Sequence, residues 1–151
     1  MCYYPHTFYK KYVGSSTFKD FISASDVIQV DFKNCPGDLL AQIDIEGGEF
    51  ELFNAMSELE LKRFRIIVVE VHELDRWLQF RYLREIVSPF LDKVFSSHHL
   101  IHSHVNNNGG NFRYRGKKYP KVVELSFHRK DRAIASNGYR TIPHYLDADN
   151  F

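Results

Sequence analysis

Residues 41–50, AQIDIEGGEF, decide how the rest of the chain is read. An apolar run from Leu39 to Ile45 finishes in two carboxylates, Asp44 and Glu46. Gly47-Gly48 follows, then a segment from Glu49 to Leu61 with acids in its first turn. A near-continuous apolar run of this length is what a strand covered on both faces needs. Acids in an opening turn suit the positive end of a helix dipole. The stretch therefore predicts a strand, a glycine turn and a helix, with acid at the strand's carboxyl end.

The pattern recurs downstream. Arg65 to His72, RIIVVEVH, is a second apolar, β-branched strand. Leu74 to Phe95 places Phe80, Leu83, Val87, Phe90 or Leu91, and Val94 at spacings of three and four, an amphipathic helix that Ser88-Pro89 kinks or splits. His99 to Val105 is a third strand, and Asn106 to Pro120 a loop whose basic cluster, Arg113 to Lys118, is read as a solvated hairpin tip. Val123, Leu125 and Phe127 alternate with polar residues within Val122 to His128, which suits an antiparallel or edge strand. Upstream, Phe18 to Ile22 reads as one or two helical turns and Val27 to Val30 as a short strand, with a turn at Pro36-Gly37. Apolar strands joined by helical crossovers are parallel neighbours, so the expected class is α/β.

Each strand stops on a polar pair: Asp44 and Glu46, Glu70 and His72, His102 and His104. Residues two apart on a strand face the same way. Parallel strands would bring all three pairs to one carboxyl edge, where open α/β sheets bind ligands. A lone acid there commonly caps the next helix, and a lone histidine is commonly a satisfied core residue. Three pairs together are read as a polar site, because burying that many ionisable groups without partners is costly. The residues suit Mg²⁺, Mn²⁺ or Zn²⁺ ligation, with His102, His104 and Glu70 as the candidate metal set. They equally suit general-base chemistry in which a carboxylate fixes the tautomer of a histidine. Spacing alone leaves both open.

Composition narrows the classes. The chain of 151 residues is 44% hydrophobic and 26% charged with a net charge of +1, so a single globular domain is expected and no global field favours nucleic acid or an anionic membrane. No apolar run approaches the roughly 20 residues that span a bilayer, and the first residues, MCYYPHTFYKKYVG, lack the apolar core of a signal peptide. Cys2 and Cys35 suit neither a disulfide framework nor a zinc cluster, so a reducing, cytoplasmic setting is expected.

The segments QIDIEGGEFELF, IIVVEVHEL, IHSHVNNNGG, YPKVVELSFHRKD and PHYLDADNF resemble FkbM-type methyltransferases, which depend on S-adenosylmethionine, over about residues 37–151. The resemblance implies the carboxyl half of a Rossmann-like class I methyltransferase sheet, mostly parallel with an antiparallel last strand. It puts Asp44 beside the transferred methyl group as catalytic and cofactor-binding residue. Glu46, Glu70, His72, His102 and His104 would line the acceptor side. The implied reaction is O-methylation of a small hydroxylated molecule or sugar. The family's glycine-rich cofactor turn belongs ahead of this region, yet only 43 residues precede Asp44 and no GxG lies among them. Asp31, after Val27 to Val30, is a weak substitute for the ribose-binding acid. A truncated or split domain, with residues 1–36 divergent, is therefore expected. The alternative is a non-catalytic remnant that binds a metal or ligand, or dimerises through a bare sheet edge. Either way the aromatic N-terminus (Tyr3, Tyr4, Phe8, Tyr9, Tyr12, Phe18) or a partner is the candidate cover for that edge.

Overall fold

The computed structural model describes residues 7–15, 18–132, 144, 145 and 147–149. Two short strands, β1 (Tyr12–Gly14) and β2 (Phe21–Ser23), pair in parallel and lead into helix α1 (Ala24–Asp31). Strand β3 (Leu39–Ile43) is followed by α2 (Glu49–Ala55) and α3 (Glu58–Leu61), then by strand β4 (Phe64–Val71). A 3₁₀ turn (Leu74–Leu78), α4 (Phe80–Tyr82), a π turn (Leu83–Val87) and α5 (Ser88–Ser97) lead to β5 (His98–Val105). The hairpin β6 (Asn111–Tyr114) and β7 (Lys117–Pro120) precedes β8 (Val123–Arg129).

The main sheet has the order β3-β4-β8-β5. β3 pairs with β4 in parallel, while β8 runs antiparallel to both β4 and β5. β3, β4 and β5 thus share a direction, but β8 separates the latter two. Only one of the three pairings is parallel, so the sheet is mixed rather than mostly parallel. β8 is also interior, not an edge; its alternation reflects one face packed on the helices and one left open.

The packed face holds the core. Ile67, Val69 and Val71 of β4 and Val123, Leu125 and Phe127 of β8 are buried against α2 and α5. Phe90 of α5 meets Phe50 and Phe53 of α2 edge-on, with ring centroids 5.3 and 5.1 Å apart. Such pairs contribute about 0.5–1.5 kcal/mol each beyond the area they bury. On the open face, register aligns Glu70, Glu124 and His104 in one row across three strands, and Val68, Ser126 and His102 in the next.

Several local expectations are revised, each for a readable reason. Val27 to Val30 is helical, because Ser23 caps α1 by accepting the Asp26 N–H at 3.0 Å. Asp31 accordingly sits at a helix end, bonded to the Tyr9 hydroxyl at 3.0 Å, not at a strand's carboxyl edge. Phe21 begins a strand where Phe18 to Ile22 suggested helix. The helix expected over Glu49 to Leu61 breaks at Met56, whose backbone is extended, and restarts with a Ser57–Glu60 capping box. The helical segment expected over Leu74 to Phe95 does divide at Ser88-Pro89: the π turn ends at Val87 and α5 begins at Ser88, with Pro89 in its first turn, where no intrahelical N–H is needed. The basic cluster does form a hairpin tip, turning on Arg115 and Gly116 at φ 48° and 79°, the geometry of a two-residue type I′ turn. Phe8, Tyr12 and Phe18 are 87%, 72% and 68% exposed, so they do not cover the sheet; Tyr3 and Tyr4 lie outside the described residues.

Candidate functional site

The turn after β3 folds acids towards the end of β4. Glu46 has φ 54° and Gly47 φ 102°, left-handed conformations that reverse the chain within two residues. Gly48 then starts α2 against Ile45, where a Cβ would lie 3.3 Å from the Ile45 Cδ1. This tight turn brings Glu49 inside. Its side chain is fully buried, and its Oε1 accepts the Gly47 N–H at 3.0 Å and meets His72 Nδ1 at 2.7 Å. Oε2 has no hydrogen-bond partner among the described residues, so His72 is the carboxylate's principal side-chain compensation.

His72 follows β4 directly and is the centre of the site. With Nδ1 committed to Glu49, its Nε2 faces Glu46 Oε2 at 3.4 Å and Asp44 Oδ1 at 4.0 Å. Burial alone would lower the imidazole pKa. The Glu49 hydrogen bond, with the charges of Glu49, Glu46 and Glu70, outweighs it and raises the pKa above the ordinary histidine value. Glu70, two residues back on the open face, accepts a hydrogen bond from Asn106 Nδ2. Asn106 is itself pinned, because its Oδ1 accepts the N–H groups of Asn108 and Gly109 at 2.9 and 3.1 Å.

Two cavities flank the turn. One, of about 290 Å³ and mostly apolar, runs along β3 from Ile22, Val27 and Ile28 to Asp44. The other, of about 490 Å³, opens on the far side between Gly47, Phe50, Glu51, Glu73, Arg76 and Tyr82. There the Tyr82 hydroxyl donates to Glu73 at 3.1 Å, and burial together with Glu73 pushes its pKa up to about 12.

Of the six residues expected at one edge, the structure gathers Asp44, Glu46, Glu70 and His72. The ligating atoms of Asp44, Glu70 and His72 lie within 4.8 Å of one another. His102 and His104 stand apart, grouped instead with Asp147. Glu70 is thus placed with Asp44 and His72, not with the two histidines; Glu124 intervenes in the row. Sequence reasoning missed Glu49, Asn106 and Asp147. Glu49 had a signal in the glycine pair ahead of it, which leaves an acid free to fold back, yet first-turn acids are ordinarily solvated. Among the described residues no helix is long and apolar enough to cross a membrane.

Residues 16–109 match the family profile described as the methyltransferase FkbM domain. The matched span contains α1, the turn after β3, His72, and His102 and His104 of β5, and ends before β6. No curated protein and no solved structure matches the chain.

Proposed function

The chain belongs to the FkbM methyltransferase domain family, and from that premise we propose that it methylates a hydroxyl group of a small polar molecule or sugar, with His72 as general base. Membership implies dependence on S-adenosylmethionine and suggests a Rossmann-like fold. The observation that carries the reading is the Glu49–His72 pair, whose imidazole turns its second nitrogen towards the acids at the end of β3.

The donor set fits the cationic end of that cofactor. Asp44 and Glu46 present carboxylates where a sulfonium needs negative charge, and the apolar cavity that reaches Asp44 suits a flat aromatic base. Bound there, S-adenosylmethionine supplies an electrophilic methyl carbon.

His72 does the proton work. Donation from Nδ1 to Glu49 fixes the tautomer whose Nε2 carries the lone pair. An acceptor hydroxyl placed at Nε2 would give its proton to the ring as its oxygen gained the methyl group that S-adenosylmethionine would supply, leaving the neutral thioether behind, and Glu49 and Glu46 would stabilise the resulting imidazolium. Holding acceptor and donor together in line supplies much of the remaining rate. Asn106 holds Glu70 beside it through a hydrogen bond from its Nδ2.

Transfer of a labelled methyl group to a panel of sugars and small alcohols tests this, with calorimetric titration of S-adenosylmethionine alongside. The expected result is cofactor binding by both wild type and His72→Asn, with transfer by the variant reduced about 10²–10⁴-fold. Unchanged transfer by His72→Asn would remove the base. Failure of the wild-type chain to bind the cofactor would remove the reaction.

A further inference from the structure

A second set of ligating side chains gathers on the open face of the sheet, two strands away from His72. β5 would normally alternate so that Leu100, His102 and His104 share one face. The register shift between Leu100 and His102 adds Ile101 as an unpaired residue. Leu100 therefore pairs with the core residue Phe127, while His102 and His104 pair with Ser126 and Glu124 on the open face. Bulges re-aim side chains in this way. Asp147, from the C-terminal segment, meets both rings: its Oδ1 lies 2.9 Å from His102 Nε2 and 3.8 Å from His104 Nδ1. The carboxylate is held by its own turn, because Oδ2 accepts the His144 N–H at 2.6 Å and the Asp147 N–H donates to the His144 carbonyl at 2.9 Å. The three side chains are 27%, 22% and 11% exposed, sheltered yet open to an ion from solvent.

We propose that His102, His104 and Asp147 form a binding site for a divalent transition-metal ion, Zn²⁺ by preference, which fastens the C-terminal segment to β5. The donor atoms already lie within 4.8 Å of one another. A tetrahedral zinc with bonds near 2.0–2.2 Å separates its ligand atoms by roughly 3.3 Å. The two recorded separations, 2.9 and 3.8 Å, bracket that value, so small side-chain rotations complete the site. Two imidazoles, borderline donors, alongside one hard carboxylate select Zn²⁺ over Mg²⁺, whose preferred ligands are all oxygens. The ion replaces the proton now shared between His102 and Asp147, and Glu124 beside His104 adds negative charge nearby. Three protein ligands leave a fourth position for water or an outside donor.

This site is separate from the proposed methyl-transfer chemistry and stands if that reading fails. It also differs in kind from the Asp44, Glu70 and His72 group, in which two carboxylates accompany an imidazole already committed to Glu49. The test is titration of the full chain with Zn²⁺, Mn²⁺ and Mg²⁺ by calorimetry, with bound metal counted after dialysis. One high-affinity Zn²⁺ per chain is expected, with Mg²⁺ at least about 100-fold weaker. Asp147→Asn and His104→Ala should each weaken Zn²⁺ about 10–100-fold or more, while His72→Asn should leave it unchanged. A hundredfold excess over the dissociation constant should raise the melting temperature of the wild type by roughly 5–10 °C, and not that of Asp147→Asn. Circular dichroism checks each variant; should His104→Ala fail to fold, the conservative Asp147→Asn decides alone. Absence of Zn²⁺ binding by the wild type overturns the proposal. So does full affinity in Asp147→Asn, or loss of affinity in His72→Asn.

Discussion

Two histidines at opposite ends of one sheet, one buried and one half-sheltered, have opposite fates. His98 starts β5, is fully buried, and spends both ring nitrogens on neutral partners. Its Nε2 donates to the Phe64 carbonyl at 2.9 Å, which leaves Nδ1 to accept from the Ser97 hydroxyl at 2.9 Å. Burial pushes its pKa below the ordinary value, and the carbonyl bond only partly opposes that. His72, at the carboxyl end of β4, is also sheltered, but its partners are carboxylates and its pKa is raised. Neutral partners lock a ring in place; ionised partners leave it poised to take up a proton. Their surroundings differ in the same sense. Near His98, Arg129 bonds Asp38 and Asp131 at 2.6 Å each, a network in which cations and anions meet directly. Around His72 the acids face an imidazole, and among the described residues no lysine or arginine pairs with them.

Replacement of each histidine by asparagine should separate the two roles, and this is the largest effect expected. His72→Asn should lower turnover about 10²–10⁴-fold while the chain still folds. His98→Asn should lower stability by roughly 2–4 kcal/mol, since a fully buried ring and two hydrogen bonds are lost, with turnover of the folded fraction retained. Urea unfolding and methyl transfer measured on both variants check the crossing. Lost turnover in His98→Asn without lost stability would break the comparison.

Glu49→Gln sharpens it. The amide can still accept the Gly47 N–H, but it no longer carries the charge that raises the His72 pKa. Turnover should fall about 10²-fold, because tautomer and imidazolium both lose support. The acid limb of the pH profile of kcat/KM should move to lower pH. Stability of the double variant His72→Asn, Glu49→Gln should exceed that of His72→Asn alone, since the single change leaves a buried carboxylate short of its partner.

The two histidines also predict opposite slopes of stability with pH. The raised pKa of His72 means its contribution is fully present below the unfolded value near 6.5 and is lost as pH rises through the folded value. The depressed pKa of His98 means its contribution is present above the unfolded value and is lost as pH falls towards the folded one. Relative to wild type, His72→Asn should therefore be most destabilised at acidic pH, and His98→Asn at alkaline pH. Urea titrations between about pH 5 and pH 8 read both slopes.

What the sequence disclosed follows from periodicity. A strand's period of two pointed to Asp44 with Glu46 and Glu70 with His72, and those four do converge. But β3 ends at Ile43 and β4 at Val71, so it is the left-handed turn at Glu46 and Gly47, not strand alternation, that folds the acids after β3 towards His72. The same rule could not tell where His102 and His104 would point, because one extra residue, Ile101, shifts the register and nothing local marks it as a bulge. Nor could it show that β8 inserts between β4 and β5, since alternation reports a half-covered strand and not its neighbours. Glu49 was hidden by a rule that is usually right, that acids in a first turn face water. Asp147 lies 45 residues from His102, and only the folded chain brings them together.

Glu46→Gly should give the smallest effect and probes how the site is built. Glu46 is left-handed at φ 54°, a conformation that costs a non-glycine residue about 1 kcal/mol. Glycine removes that strain but makes the unfolded chain more flexible by a comparable free energy. Net stability should therefore change by less than about 0.5 kcal/mol in urea unfolding. The exposed carboxylate 3.4 Å from His72 Nε2 is lost at the same time, so the acid limb of the pH profile should shift downward, by less than in Glu49→Gln. A shift as large as that of Glu49→Gln would make the exposed acid, not the buried one, the group that governs His72. The contrast between the two ends of the sheet would then rest on a solvent-facing charge, which salt should screen.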